Sequence, residues 1–388
     1  MKRSIALLPV VLSVLSLASC QGAPACSVAS CPVASSQDEP TCSVATSSAG
    51  SSTVIRSDGK AEGVVTIHTP VQRAFFDNGL GDVNLFARGV EELSRPTTVT
   101  FSWEGGAAPY HVVLSERENP ANAREFDTDS TSIGFTNLKV ATAYDVKVTS
   151  GDTVVKEGFF ATAEEIVRNL YVSGVTNVRD LGGYPLDGKR TKQGVLFRTA
   201  CINHSAAETP TKSISDKGVN TMLNELKVKC EIDLRAVSNN EVGGLTEGVG
   251  VLGESVRYYQ CPMSYSTGKT MEGELNDSSL RKVFSILGDE SNYPAFFHCA
   301  IGTDRTGYVG WLINAFLGLE EEYLWRDYLF SNYGNIGGSR SVSTIRAGYL
   351  ADLQRRPGAT WQEKTTAYLL EKGVEQKHLD TLSSMMLG

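Results

Sequence analysis

The chain has 388 residues, of which 41% are apolar and 21% charged, and its formal net charge is −8. That length allows two or three domains, each with an apolar core of its own. An acidic chain without a basic stripe excludes nucleic acid as a partner, but it does not exclude phosphate, because only the local field at a pocket decides that.

Lys2 and Arg3 open the chain, and the apolar run Ile5 to Leu17 is short for a membrane span. Leu17-Ala18-Ser19-Cys20 resembles a bacterial lipobox. The resemblance implies a lipoprotein signal peptide over residues 1–20, acylation of Cys20, and export to a membrane-anchored state. Gln21 at the following position implies the outer membrane if the host has one. The alternative is an ordinary signal peptide cleaved nearby. Residues 21–60 are rich in Ser, Ala, Gly, Pro and Thr and read as a disordered tether. In it Cys26-Ser27-Val28-Ala29 recurs as Cys42-Ser43-Val44-Ala45, with Cys31 between. No histidine lies near these cysteines, so a low-complexity stalk is preferred to a metal site.

Short strands follow, over residues 64–67, 97–103, 110–114, 132–135, 142–148 and 154–161. Val99, Phe101 and Trp103 alternate with Thr98, Thr100 and Ser102, as a half-buried strand requires. Such a series argues a small all-β sandwich over residues 61–162. The Trp103 strand and the Leu138 to Val148 segment, with its strand tyrosine, resemble a fibronectin type III or immunoglobulin-like module. His68 and His111 are isolated and read as structural or surface residues. The module reads as a spacer or recruiter whose protein partner the sequence does not define.

Residues 163–388 read as an α/β domain with a central, mostly parallel sheet flanked by helices. Glu164 to Leu170 reads as a short linking helix. Turn-forming Gly182-Gly183 and Asp187-Gly188 separate Asn177-Val178-Arg179-Asp180-Leu181 from the strand Val195 to Thr199, which carries Arg198. A helix over 215–226, capped by Ser215, precedes a strand over 228–235 that ends in Asp233-Leu234-Arg235, with Glu241 beyond it. A strand over 256–261, a polar segment 264–275 suited to a lid, and a helix over 279–287 come next. Helices over 344–355, 361–372 and 375–387 close the chain.

The stretch that organises this domain is His298-Cys299-Ala300-Ile301-Gly302-Thr303-Asp304-Arg305-Thr306-Gly307. The apolar run Pro294 to Phe297 precedes it and an apolar-periodic segment from Tyr308 to Phe330 follows, so strand, tight turn and helix is the reading. Cys299 and Arg305 then lie at the two ends of a loop at a helix N-terminus. There the backbone N–H groups, the helix dipole and a guanidinium converge. That cradle, Ala300 to Thr306, fits a phosphate dianion with Cys299 beneath it. A positive helix end and an arginine lower a thiol's pKa, and the Thr306 hydroxyl is suited to hold the thiolate.

The stretch resembles the signature of the cysteine-dependent protein phosphatases, Cys-x5-Arg-Ser/Thr, and in its fuller form the bacterial tyrosine/serine phosphatase branch, close to the dual-specificity enzymes. The Asn177 to Tyr184 segment, the Gly194 to Thr199 strand and Asp233-Leu234-Arg235 resemble the same family. The resemblance implies a phosphomonoester hydrolase with a phosphocysteine intermediate. Cys299 would attack phosphorus, and Arg305 and the loop amides would hold the equatorial oxygens. A carboxylic acid would protonate the leaving group. Asp233 is the preferred acid, on a separate strand end where related enzymes commonly keep theirs; Asp304, inside the loop, is the alternative. Arg179, Arg198 and Arg235 either lend positive charge to the pocket or pair with carboxylates, and Asp180 and His298 support the frame. Thr303 stands where phosphoinositide-active relatives often carry lysine, which implies a less cationic pocket mouth. Cys201, Cys230 and Cys261 are inert thiols or disulfide partners for Cys299. Phosphotyrosine proteins are the expected substrates, with phosphoserine and phosphothreonine also open; a small phosphomonoester would suit the same chemistry. The alternatives are inositol polyphosphates or phosphoinositides, and a catalytically silent surface-binding module. The chemistry calls for no cofactor and no metal.

Overall fold

The structure is a computed structural model. It describes residues 63–78, 80–204, 211–237, 241–266 and 269–388, and the backbone alone of 52–56. The lipobox with Cys20, the signal peptide and the cysteines of the tether lie outside the described residues, which all belong to one compact unit, Ala49–Gly388.

At the centre of the C-terminal part is a mixed sheet of six strands. Their spatial order is Gly248–Val249, Arg257–Gln260, Cys230–Asp233, Ala295–His298, Leu196–Thr199, Arg179–Asp180. The four inner strands run parallel and the two edge strands antiparallel. Burial on both faces explains the unbroken Ala295-Phe296-Phe297 run of the central strand, which is fully buried. Register sets the chemistry: Asp233 and Thr199 both stand opposite His298, so these strands end together, directly before Cys299. Ligands of open α/β sheets bind at that carboxyl edge.

The helix Asp304–Phe316 follows the Cys299 loop and is buried nearly all round, from Thr306 to Ala315. It packs on Glu321–Phe330 and Trp361–Glu371, while Glu274–Leu287 packs on Gln376–Leu387. Among the described residues no helix is long and apolar enough to cross a membrane. The expected helix over 164–170 does not form: after Thr162 the chain runs through bends and isolated bridges, with Val167 at φ +61° and Asn169 pairing Arg179. Two described residues of the segment read as a lid are tied to the helix that follows. Asn276 accepts from the Ser264 N–H and donates to the Ser264 and Met271 carbonyls, and Met271 is buried.

Before this sheet, a five-stranded sheet (Val64–Val65, Thr153–Thr162, Ala143–Ser150, Tyr110–Glu116, Asn119–Thr128) and a three-stranded one (Ser52–Arg56, Thr98–Ser102, Ser132–Phe135) enclose one apolar cluster. Val99, Phe101, Trp103, Val112, Val146 and Phe160 are among its members. The expected alternation along Thr98–Ser102 is present. Asn119–Thr128 was not expected, because a polar, proline-containing edge strand has no apolar signal to read.

The boundary placed at 162/163 does not follow the cores. Thr69 and Gln72 form a capping box for the helix Pro70–Asp77, with proline in its first turn, a start signal that the sequence carries. That helix and the turn after it bury Phe75, Val83 and Ala87 in the larger, C-terminal core. Backbone bonds fasten the same segment there: Gly89 N–H to Asn332 O (2.8 Å), Leu93 N–H to Tyr333 O (2.6 Å), and Ile336 and Gly338 N–H back to Gly89 O (each 3.0 Å).

Candidate active site

Cys299 leaves the end of the central strand and is only 1% exposed. Burial pushes its thiol up. The Arg305 guanidinium, with the Thr306 hydroxyl and N–H, outweighs that and holds the thiol below its ordinary value. The Thr306 hydroxyl is buried and makes no other hydrogen bond, so a thiolate on Cys299 is the acceptor it is placed for.

The loop's carbonyls all face the protein. Cys299 O accepts from His298 Nδ1 (3.2 Å), and Ala300 O from the Cys201 N–H (3.4 Å). Ile301 O accepts from Asn177 Nδ2 (3.0 Å), and Gly302 O from Asn177 Nδ2 (3.1 Å) and Arg198 Nη2 (3.0 Å). In a trans peptide the N–H points opposite to the carbonyl before it. The N–H groups of Ala300, Ile301, Gly302 and Thr303 are therefore turned to the other side, as an anion cradle at a helix N-terminus requires. Gly302 makes this path possible: it has φ +70°, and a β-carbon there would meet Thr199 O at 2.5 Å.

Arg305 closes the loop. Its Nη1 pairs with Glu241 Oε2 at 2.8 Å, and its side chain is 12% exposed. Burial lowers its pKa, but Cys299 and Glu241 together hold it above the ordinary value. Glu241 was noted in the sequence without a role; only the fold brings it to Arg305.

Asp233 is fully buried and spent. Its oxygens accept from Arg235 N–H (2.9 Å), Nε (2.9 and 3.0 Å) and Nη2 (2.6 Å), and from the Tyr258 hydroxyl (2.8 Å). Burial raises its pKa, yet His298 and Arg235 hold the carboxyl below its ordinary value. Asp233, the acid preferred from the sequence, is thus engaged on both oxygens by Arg235 and Tyr258. Asp304 starts the helix at the mouth and pairs with Arg340 through both oxygens, at 2.9 and 3.0 Å. Arg340 is itself held by Asn332, which bonds both its N–H and its carbonyl.

His298 is fully buried. Its Nε2 lies 3.0 Å from Glu231 Oε1 and its Nδ1 3.2 Å from Cys299 O. Burial works against a charge on the ring, but Asp233 and Glu231 raise its pKa above the ordinary value.

The remaining arginines serve the frame. Arg179 and Arg198 are fully buried and share Asp327: Arg179 Nε reaches Oδ1 at 2.8 Å and Arg198 Nη1 reaches Oδ2. Burial lowers the Arg179 pKa to about 10, and the Arg198 charge adds to this. Only Arg198 goes on to the loop, at Gly302 O. Asp180 binds Arg168 at 2.7 Å and the Gly182 and Gly194 N–H groups, remote from the cradle. Thr303 is fully buried, with its hydroxyl accepting from Asn177 Nδ2 (3.2 Å) and donating to Ile301 O (3.3 Å).

Cys201, Cys230, Cys261 and Cys299 are free thiols. Burial pushes Cys201 up to about 11 and Cys261 up to about 12, and Cys230 higher still. Sequence reasoning passed over Asp327 and Asn177. Asp327 lies on the helix after next, where nothing local marks it. Asn177 had a readable signal, an asparagine opening the Asn-Val-Arg-Asp segment at a left-handed φ of +60°. Among the described residues no group of three or more His, Cys, Asp and Glu side chains is placed to hold a metal ion.

Solved structures similar to this chain include the core catalytic domain of the PP-IP phosphatase Siw14 from S. cerevisiae in complex with citrate. It shows 16% identity over 40% of this chain and 82% of that one, with a TM-score of 0.26. P. aeruginosa TpbA shows 14% identity over 53% of this chain and 90% of that one, with a TM-score of 0.27. No curated protein matches the chain. The model of the tyrosine phosphatase family matches residues 170–388, more than half of the sequence, and the chain belongs to that family.

Proposed function

We propose that this protein hydrolyses phosphomonoesters through a phosphocysteine at Cys299, with phosphotyrosine proteins as its substrates. One observation carries the reading: a buried thiol held below its ordinary pKa by Arg305 and Thr306, on a loop whose carbonyls all face inward. Cys299 attacks phosphorus in line and the P–O bond to the leaving group breaks. Arg305 and the N–H groups of residues 300–303 take the equatorial oxygens. Asp304 is the acid, since of the two sequence candidates it alone keeps some exposure, 8%, and its charge is felt by Cys299. It would leave Arg340, take up a proton, pass it to the departing oxygen, and as carboxylate activate the water that frees phosphate. Glu241 holds Arg305 in place from behind. The depth of Cys299 supports phosphotyrosine, whose phosphate stands farther from the peptide backbone than that of phosphoserine. The low thiol pKa speaks against a silent binding module.

A kinetic panel on phosphotyrosine and phosphoserine peptides, inositol hexakisphosphate and phosphoinositides tests this reading. Phosphotyrosine should give the highest kcat/KM. A preference for an inositol polyphosphate over every peptide would replace the reading with the lipid or inositol one.

We further propose that residues 1–20 export the chain and that Cys20 anchors it in a membrane, the outer one if the host has two, on the strength of Leu17-Ala18-Ser19-Cys20. Palmitate labelling should be lost in Cys20→Ser. For the two N-terminal sheets the fibronectin type III or immunoglobulin-like reading gains one support: the Tyr144 hydroxyl accepts the Lys139 N–H at 2.8 Å, a strand tyrosine bonded back to the backbone just upstream.

A further inference from the structure

Asn177 is fully buried and makes four bonds with one amide. Its Nδ2 donates to Ile301 O (3.0 Å), Gly302 O (3.1 Å) and Thr303 Oγ1 (3.2 Å), while its Oδ1 accepts from Arg179 Nη1. The amide has one orientation, because arginine only donates and carbonyls only accept. Its backbone is fixed from the other side, where the Asn177 N–H donates to Ser94 Oγ at 3.2 Å. Ser94 is buried, and its carbonyl accepts from Asn169 Nδ2 at 2.8 Å. Ser94 belongs to the segment after the Pro70–Asp77 helix, far from the nucleophile in sequence.

We propose that Asn177 is the positioning residue of the phosphate cradle and that Ser94 seats it. By holding the carbonyls of Ile301 and Gly302 inward, Asn177 turns the N–H groups of Gly302 and Thr303 toward the oxyanion. Arg198 assists at Gly302 alone. Among the described residues Ile301 O has no donor but Asn177 besides the short-range Thr303 hydroxyl, which Asn177 itself steadies. The proposal rests on the phosphatase reading and adds to it: the segment between the strands Val64–Val65 and Thr98–Ser102 completes the site, and oxyanion affinity depends on a residue that touches no substrate.

The test is titration of tungstate, a tetrahedral oxyanion, into the parent, Asn177→Gly, Asn177→Asp and Ser94→Ala, beside turnover of an aryl phosphate and the pH midpoint of Cys299 alkylation. Glycine accepts the left-handed φ without strain, and aspartate keeps the shape and the Arg179 partner while losing the N–H donors. Both variants should bind tungstate about ten- to a hundredfold more weakly and lose about a hundredfold in kcat, the scale of one misplaced oxyanion donor. Ser94→Ala should show the same change at about threefold. In Asn177→Gly and Ser94→Ala, which add no charge, the Cys299 midpoint should stay at the parent's value, because Arg305 and Thr306 hold the thiol down. Parent-like tungstate affinity in any folded Asn177 variant overturns the proposal. A midpoint that moves together with affinity in Asn177→Gly overturns it as well, since the whole loop is then lost. If neither Asn177 variant folds, Ser94→Ala decides, and unchanged affinity there overturns the proposal. A parent that neither binds tungstate nor turns over the ester refutes the phosphatase reading instead.

Discussion

Asp233→Asn separates a structural carboxylate from a catalytic one. The native side chain receives two donors on Oδ1 and three on Oδ2, all from Arg235 and Tyr258, in a fully buried setting. An amide at this position must turn its nitrogen toward at least one arginine N–H, whichever way it sits, and it leaves the buried guanidinium without a counter-charge. Breaking a buried pair in this way costs about 3–5 kcal/mol. For a unit of this size that is a fall in Tm of roughly 4–7 °C. Calorimetry reads the loss directly. Kinetics at a temperature where the variant is folded should then show the same fractional loss on a phosphopeptide and on an aryl phosphate with a good leaving group, because Asp233 gives no proton. An unchanged Tm, with a loss confined to the substrate that needs leaving-group protonation, would refute this reasoning and return the acid to Asp233.

Three further outcomes follow from the same geometry. Iodoacetamide at neutral pH should label Cys299 alone among the four thiols of the described residues, because burial holds Cys201 at about 11, Cys261 at about 12 and Cys230 above both; peptide mapping checks this. His298 has a raised pKa in the folded protein, so its contribution to stability is complete below its ordinary value and is lost as pH rises through the raised one. Asp233 has a lowered pKa, so its contribution is complete above the ordinary carboxylate range and is lost as pH falls through the lowered value. Tm against pH should therefore decline on the alkaline side in the parent and lose that decline in His298→Gln. A fragment beginning at residue 163 should be aggregation-prone or inactive, while one beginning near residue 61 folds, because Phe75, Val83 and Ala87 fill the core that the shorter fragment exposes; matched expression and turnover compare the two.

The strand-loop-helix path that carries Cys299 and Arg305 was legible because its parts are contiguous: ten residues hold the turn, its glycine and the helix start together. The strands ending at Asp233 and Thr199 were legible from apolar runs, and their shared edge followed from parallel pairing. What the sequence could not show is which polar groups meet. Asp233 reads either as a strand-end acid or as an ion-pair partner of Arg235 or Arg179; the fold puts Arg235 on it and adds Tyr258, which nothing local marks. Thr303 reads as a mouth residue until the loop's turn buries it under Asn177. Arg179 and Arg198 read equally as pocket cations or as frame, and the choice rests on Asp327, a residue with no local mark. The helix Pro70–Asp77 was missed although Thr69, Pro70 and Gln72 announce it, because the strand-rich surroundings drew the reading toward one β module.

The most direct test of the account is chemical trapping of the intermediate. The parent is mixed briefly with a labelled phosphotyrosine substrate, quenched by denaturation, digested and mapped. The account predicts phosphate on the peptide containing Cys299, with none there and almost no turnover in Cys299→Ser, which keeps the parent's fold because the two side chains are close in size. Full turnover by Cys299→Ser, or steady hydrolysis by the parent with no label on that peptide, would contradict it.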